Sequence, residues 1–130
     1  MTQIESQEVE INNSAEKIFN FITNFNNFSK LMPSSVKDVK TTAESCCFSI
    51  KGMPSIKLKL REKIPFSLVS MISEGGHIEF HLNCVLQEKG NNCKAKLFFE
   101  AELNMMMKMM VEKPLKNFLN ILVDRLKEIK

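Results

Sequence analysis

NMMMKMMVEKPLKNFLNILVDRLKEIK, residues 104–130, is the stretch whose reading decides the fold. Five of the chain's nine methionines fall within residues 105–110. Behind them Leu115, Phe118, Leu119, Leu122, Leu126 and Ile129 recur at helical spacing, with Lys116, Asn117, Asn120, Asp124, Lys127 and Glu128 between them. That pattern predicts an amphipathic helix reaching the chain end. An apolar stripe of this length must cover something, and the segments before it offer one broad surface. The methionines have two readings: flexible, polarisable side chains that fit several apolar shapes, or fillers of an irregular core. Pro114 also has two. It bends one long helix around Met110, leaving the methionine segment as a mobile gate. Alternatively it sits in the first turn of a helix starting near Glu112, with the methionines in a loop or separate turn.

Working backwards, residues 35–103 change to a period of two. Residues 36–41 and 46–51 read as strands, the second ending at Gly52-Met53-Pro54. Ile56, Leu58, Leu60 and Ile64 then alternate with Lys57, Lys59, Arg61 and Lys63 until Pro65, a half-buried strand. Residues 67–73 make another, closed by Gly75-Gly76, a hairpin signal. Ile78, Phe80, Leu82, Cys84 and Leu86 form one strand face opposite Glu79, His81, Asn83 and Gln87. In the last strand Cys93, Ala95, Leu97, Phe99, Ala101 and Leu103 face the core. At the front, residues 3–11 read as a strand. Asn13 with Glu16 offers a capping box for a short helix over 15–22, with Ile18, Phe19 and Ile22 inward. A second short helix over 24–31 places Phe25, Phe28 and Leu31 inward and stops at Met32-Pro33.

The chain's 130 residues suffice for one domain spanning 1–130. Hydrophobic residues at 44% and charged ones at 25% are ordinary for a soluble globular protein. No apolar run approaches the roughly 20 residues that span a bilayer. The opening MTQIESQEVEI is acidic and polar where a signal peptide is basic and then apolar, so the expected location is cytoplasmic with no stable membrane insertion. The net charge is +3, but the basic residues alternate along strands without interleaved aromatics. They read as solvated faces, not as a nucleic-acid footprint. The four cysteines form no CxxC pair and have no histidine at ligand spacing, so no metal site is expected. A turn at Lys89-Gly90-Asn91-Asn92 would pair Glu88 with Cys93 and Cys84 with Leu97. The two sulfurs would then lie roughly 13 Å apart, too far for a disulfide.

The order is strand, two short helices, about six strands and one long helix. A curved antiparallel sheet with one apolar face needs a cover, and the terminal helix is long enough to supply it. This α+β, helix-grip order resembles the START-like superfamily, also called SRPBCC or birch-allergen-like. The segments VEINNSAEKIFNFITNFNNFSKLMP and MMVEKPLKNFLNIL carry the resemblance. The first is similar to the opening of polyketide cyclase/dehydrase-like members. The resemblance implies an apolar cavity between sheet and helix. It also implies that a catalytic member would place polar residues inside that cavity.

The expected function is non-catalytic binding or transport of a small hydrophobic ligand, such as a lipid, isoprenoid or polyketide-like compound. Its lining is expected from Ile50, Leu58, Leu60, Glu62, Phe80, Leu82, Leu97 and Phe99 on the sheet and from Met106, Met110 and Pro114 on the helix. Glu62 shares the inward phase and is the candidate acid or base of an alternative, a cyclase/dehydratase-type enzyme. A bulge or strand end would instead turn it outward beside Arg61 and Lys63. Arg125 lies near the inner edge of the helix stripe, where it can snorkel. His77 and His81 read as solvent-facing strand residues. No Ser/His/Asp spacing, phosphate-binding loop or GxSxG element appears, and no cofactor is expected. A third reading is a protein-interaction module, as in family members that bind ribosomes or chaperones. It would use the outer basic strand or the methionine segment.

Overall fold

A computed structural model describes residues 2–32, 36–50, 55–74 and 79–129, without the side chain of Phe28. Strands β1 (Thr2–Glu5) and β2 (Val9–Ile11) lead into α1 (Ala15–Ile22). A 3-10 turn (Phe25–Asn27) and α2 (Phe28–Leu31) follow. Then come β3 (Lys37–Thr41), β4 (Ser45–Ser49), β5 (Ile56–Ile64), β6 (Leu68–Ser73), β7 (Phe80–Lys89), β8 (Asn92–Ala101) and α3 (Met105–Leu126). The described strands form one antiparallel sheet in the order β1-β8-β7-β6-β5-β4-β3, with β2 also paired to β8. This is the α+β helix-grip arrangement. The turn signals at Gly52-Met53-Pro54 and Gly75-Gly76, together with Pro33, Ser35, His77 and Ile78, lie outside the described residues.

The sheet follows the alternation in the sequence closely. Cys93, Ala95, Leu97, Phe99 and Ala101 are all buried on one face of β8, and Leu82, Cys84 and Leu86 join them from β7. The β7–β8 register pairs Cys84 with Leu97 and Glu88 with Cys93, as the turn at Gly90 requires. All four cysteines are free.

Three local expectations are corrected. The first strand is two, because Ile4 pairs with Phe99 while Val9 pairs with Ala95, one residue out of step. The extra residue is accommodated at buried Ser6. Its N–H donates to the Leu97 carbonyl (2.9 Å), and its hydroxyl accepts the Leu97 N–H (2.9 Å). A side-chain oxygen thus replaces a missing backbone acceptor, which keeps Ile4, Val9 and Ile11 all inward. At α1, Ser14 rather than Asn13 is the cap, accepting from the Lys17 N–H at 3.2 Å. Asn13 instead donates to the Ile129 carbonyl, tying the chain end to the start of α1. The second short helix is split into the 3-10 turn and α2.

α3 is continuous from Met105 to Leu126, with Pro114 inside it and Asn104 as its cap. The Asn104 side chain accepts from the Met107 N–H at 2.8 Å. The methionines are therefore helical, and the alternative of a helix starting near Glu112 is overturned. Asn104 supplies a start signal strong enough to include them, and a proline removes only one of the backbone donors. No helix among the described residues is long and apolar enough to cross a membrane.

Candidate functional site

α3 meets the sheet unevenly. Leu115, Phe118, Leu119, Leu122, Val123 and Leu126 are buried. The Phe118 ring lies 5.3 Å from that of Phe48 on β4, so the helix touches the sheet directly here. Toward the helix start none of residues 105–114 is fully buried. Met107, Val111 and Pro114 are half-buried and sit in the helical phase of the stripe, at successive backward steps from Leu115 and Phe118.

The sheet end beneath the helix start has the same character. Phe80 pairs with Ala101, three residues before the α3 cap, and its ring lies 5.1 Å from Phe99. Ile50 continues β4 beyond Phe48, whose partner is Ile56 at the start of β5. Ile50, Leu60, Phe80 and Leu103 are only partly buried although they pack on the core. Phe80 and Leu103 thus lie where α3 begins, while Leu60 lies a row further in, level with Leu82 and Phe99. Leu58, Leu82, Leu97 and Phe99 are fully buried in the core.

Three expected lining residues are placed elsewhere. Met106 and Met110 are 73% and 64% exposed, turned away from the sheet. Composition points to Met106 and Met110, whereas the helical phase selects Met107 and Val111. Extending the Leu115–Phe118 stripe back through Pro114 would have found them. Glu62 is exposed because β5 slips between Leu60 and Glu62, leaving Arg61 as the extra residue. Glu62 then pairs with Ser70, which continues across the strand to Asn83. The Ser70 hydroxyl donates to the Asn83 side-chain oxygen (2.6 Å) on the sheet's outer face. The acid–base reading loses its carboxylate by this bulge. Arg125 is half-buried at the margin of the stripe.

Other polar groups divide between the two faces. His81 is half-buried on the outer face, and its Nδ1 is enclosed without a hydrogen-bond partner among the described residues. Burial pushes the Cys46 thiol up to about 12, with Cys47 adding to the effect. Cys84 is likewise pushed up to about 12 by burial and then by Cys93. Cys93 is raised by burial and then by the Glu88 carboxylate. Thiols held in this way stay protonated and are poor nucleophiles or metal ligands. Surface hollows include two lined by described residues. One of about 410 Å³ is bordered by Thr2, Glu102, Leu103 and Asn104 at the start of α3. The other, of about 310 Å³, lies beside Val85, Lys96 and Phe98 on the outer face.

Solved structures share this architecture. A START superfamily protein from Mycobacterium smegmatis superposes with a TM-score of 0.74 at 13% identity, covering 97% of this chain and 94% of that one. The fold is START-like. Truncated norcoclaurine synthase from Thalictrum flavum has the same START-like fold, with a TM-score of 0.75 at 16% identity over 98% of this chain and 91% of its own. A further structure of that synthase holds dopamine and hydroxybenzaldehyde; it matches at TM-score 0.74 and 14% identity, over 98% and 84% of the two chains. No family model and no curated protein matches the chain.

Proposed function

We propose that the protein binds a small, largely apolar molecule between the concave face of the sheet and the first turns of α3. The observation that carries this is the set of half-buried apolar residues on the sheet and on the first turns of α3. On the sheet these are Ile50, Leu60, Phe80 and Leu103, and on the helix Met107, Val111 and Pro114. These groups remain partly wetted in the free protein. A ligand that covers them removes water from both surfaces at once, and each buried methylene contributes roughly 0.8 kcal/mol. Because the lining is apolar, the ligand that fits it presents mostly hydrocarbon, as a lipid, isoprenoid or polyketide-like compound does. The START-like synthase that holds two small aromatic molecules supports placing a ligand within this architecture. Specificity follows from shape, since methionine adapts to several outlines.

Native mass spectrometry of gently purified protein tests the reading. The expected result is a mass above that of the polypeptide, released as an apolar compound on denaturation. Val111→Asp should weaken uptake of 1-anilinonaphthalene-8-sulfonate about tenfold or more while circular dichroism stays native, because a carboxylate resists burial. Polypeptide mass alone, together with no dye uptake by the folded protein, would remove the reading.

A further inference from the structure

The first turns of α3 carry a second apolar surface on the side away from the sheet. Met105, Met106, Met109 and Met110 are 78%, 73%, 77% and 64% exposed. Their spacing puts all four on one helix face, as two i, i+4 pairs side by side. The fully buried part of the same helix, from Leu115 to Leu126, by contrast, contains no methionine. Scattered apolar side chains on a surface need no explanation, but a contiguous group marks a contact surface.

The ends of this patch differ in charge. Glu102, exposed, lies just before the helix, beside the hollow of about 410 Å³ that it lines with Thr2, Leu103 and Asn104. Lys113, also exposed, lies one turn beyond Met109 on the same face. Along the helix the surface therefore runs from acidic through apolar to basic. Such a surface is complementary to a copy of itself turned by a half rotation. The centre of the four methionines falls between Met107 and Lys108. A two-fold axis there lays two helices antiparallel, with Met105 against Met110 and Met106 against Met109. It also brings Lys113 of each copy to the hollow that holds Glu102 of the other.

We propose that this methionine face joins two copies of the chain in a two-fold dimer. The contact is isologous, with one patch serving both sides. Unbranched thioether side chains suit it, because they interdigitate without demanding one fixed outline. Four side chains per copy fall well short of the roughly 20–30 residues a side of a standard interface, so the association is weak, with a micromolar dissociation constant. A lipid surface fits the patch less well. Across this segment the exposed Glu102 and Glu112 offset the exposed Lys108 and Lys113, and anionic lipid is drawn by an excess of basic residues. The inner lining at Met107 and Val111 stays free, so the dimer does not depend on the ligand reading.

Sedimentation velocity on the whole chain, from about 5 to 500 µM, tests this across the dissociation range expected. The sedimentation coefficient should rise with concentration from monomer to dimer. Glu102→Lys and Lys113→Glu should each weaken the dimer about tenfold, and combining them should restore it, since the pair is exchanged and not lost. Met106→Ser with Met109→Ser should leave a folded monomer by circular dichroism. A monomer at every concentration overturns the proposal. So does a dimer indifferent to the methionine variant, or charge reversals that add instead of cancelling. Flotation with phosphatidylserine vesicles that depends on Met106 and Met109, while the protein stays monomeric, would assign the face to a membrane and overturn the dimer.

Discussion

The two halves of α3 belong to one unbroken helix over one sheet, yet they are held by different means. The C-terminal half presents six fully buried side chains and is tied by polar contacts at its outer edge. The Gln7 N–H donates to the Asn120 side chain (2.7 Å), and the Gln7 amide donates to Asp124 (2.8 Å). The N-terminal half has its Asn104 cap, three half-buried inner residues and four exposed methionines. Pro114 stands at the junction and leaves the Met110 carbonyl without its usual helical donor. Stability therefore resides in one half and adaptability in the other. A region with few buried apolar contacts opens at lower free energy than the core it adjoins. If an apolar ligand binds there as proposed, that combination would let it enter at the helix start without unfolding the domain.

The sharpest test of this contrast is Phe118→Ala. It removes a ring packed against Phe48, and a denaturant titration should show a loss of about 3–5 kcal/mol. A loss below about 1 kcal/mol would mean the covered half is not packed as described.

The next test concerns the sheet under that cover. Cys46 and Cys84 are raised from 9.0 to about 12 in the folded protein. The folded state thus keeps protons that the unfolded state releases. The stability contributed is fully present below pH 9 and is lost as pH rises from there through about 12. Melting temperatures measured from pH 8 upward should fall, and Cys84→Ala should reduce the slope. A flat profile would mean the thiols are not enclosed.

Smaller effects are expected at the helix start. Pro114→Ala restores a donor to the Met110 carbonyl. It should slow amide exchange across residues 105–113 and stabilise the helix by no more than about 3 kcal/mol, the full cost of proline in a helix interior. Asn104→Ala should cost about 1 kcal/mol by removing the cap, and it should speed exchange only in the first turns. Smallest of all, Met109→Ala at low micromolar protein should change stability by less than about 0.5 kcal/mol, because its side chain is already in water. A cost approaching that of Phe118→Ala would abolish the distinction between the halves.

Much of this architecture was legible in the residues. The alternation in β7 and β8 specified which side chains are buried, and the Gly90 turn specified their register, because a strand's two faces are set by a period of two. The stripe from Leu115 to Leu126 specified the covering helix in the same way. Single-residue slips were legible at most as alternatives: a bulge turning Glu62 outward was one of two readings, and nothing marked the one at Ser6. The extra residue at Ser6 and the one at Arg61 each change the phase of a strand. Neither produces a break in the local pattern, since a bulge is chosen by the partner strand. Glu62 sat in the inward phase of its own segment and left it only because β6 pairs one residue out of step. Met106 and Met110 illustrate the same limit from the other side. Composition marked them as apolar and the stripe's phase favoured Met107 and Val111, but which side of the helix start lies against the sheet was decided by the helix's rotation. Periodicity is a property of the chain alone. Register and rotation are relations between two elements, and they are settled by packing when the elements meet.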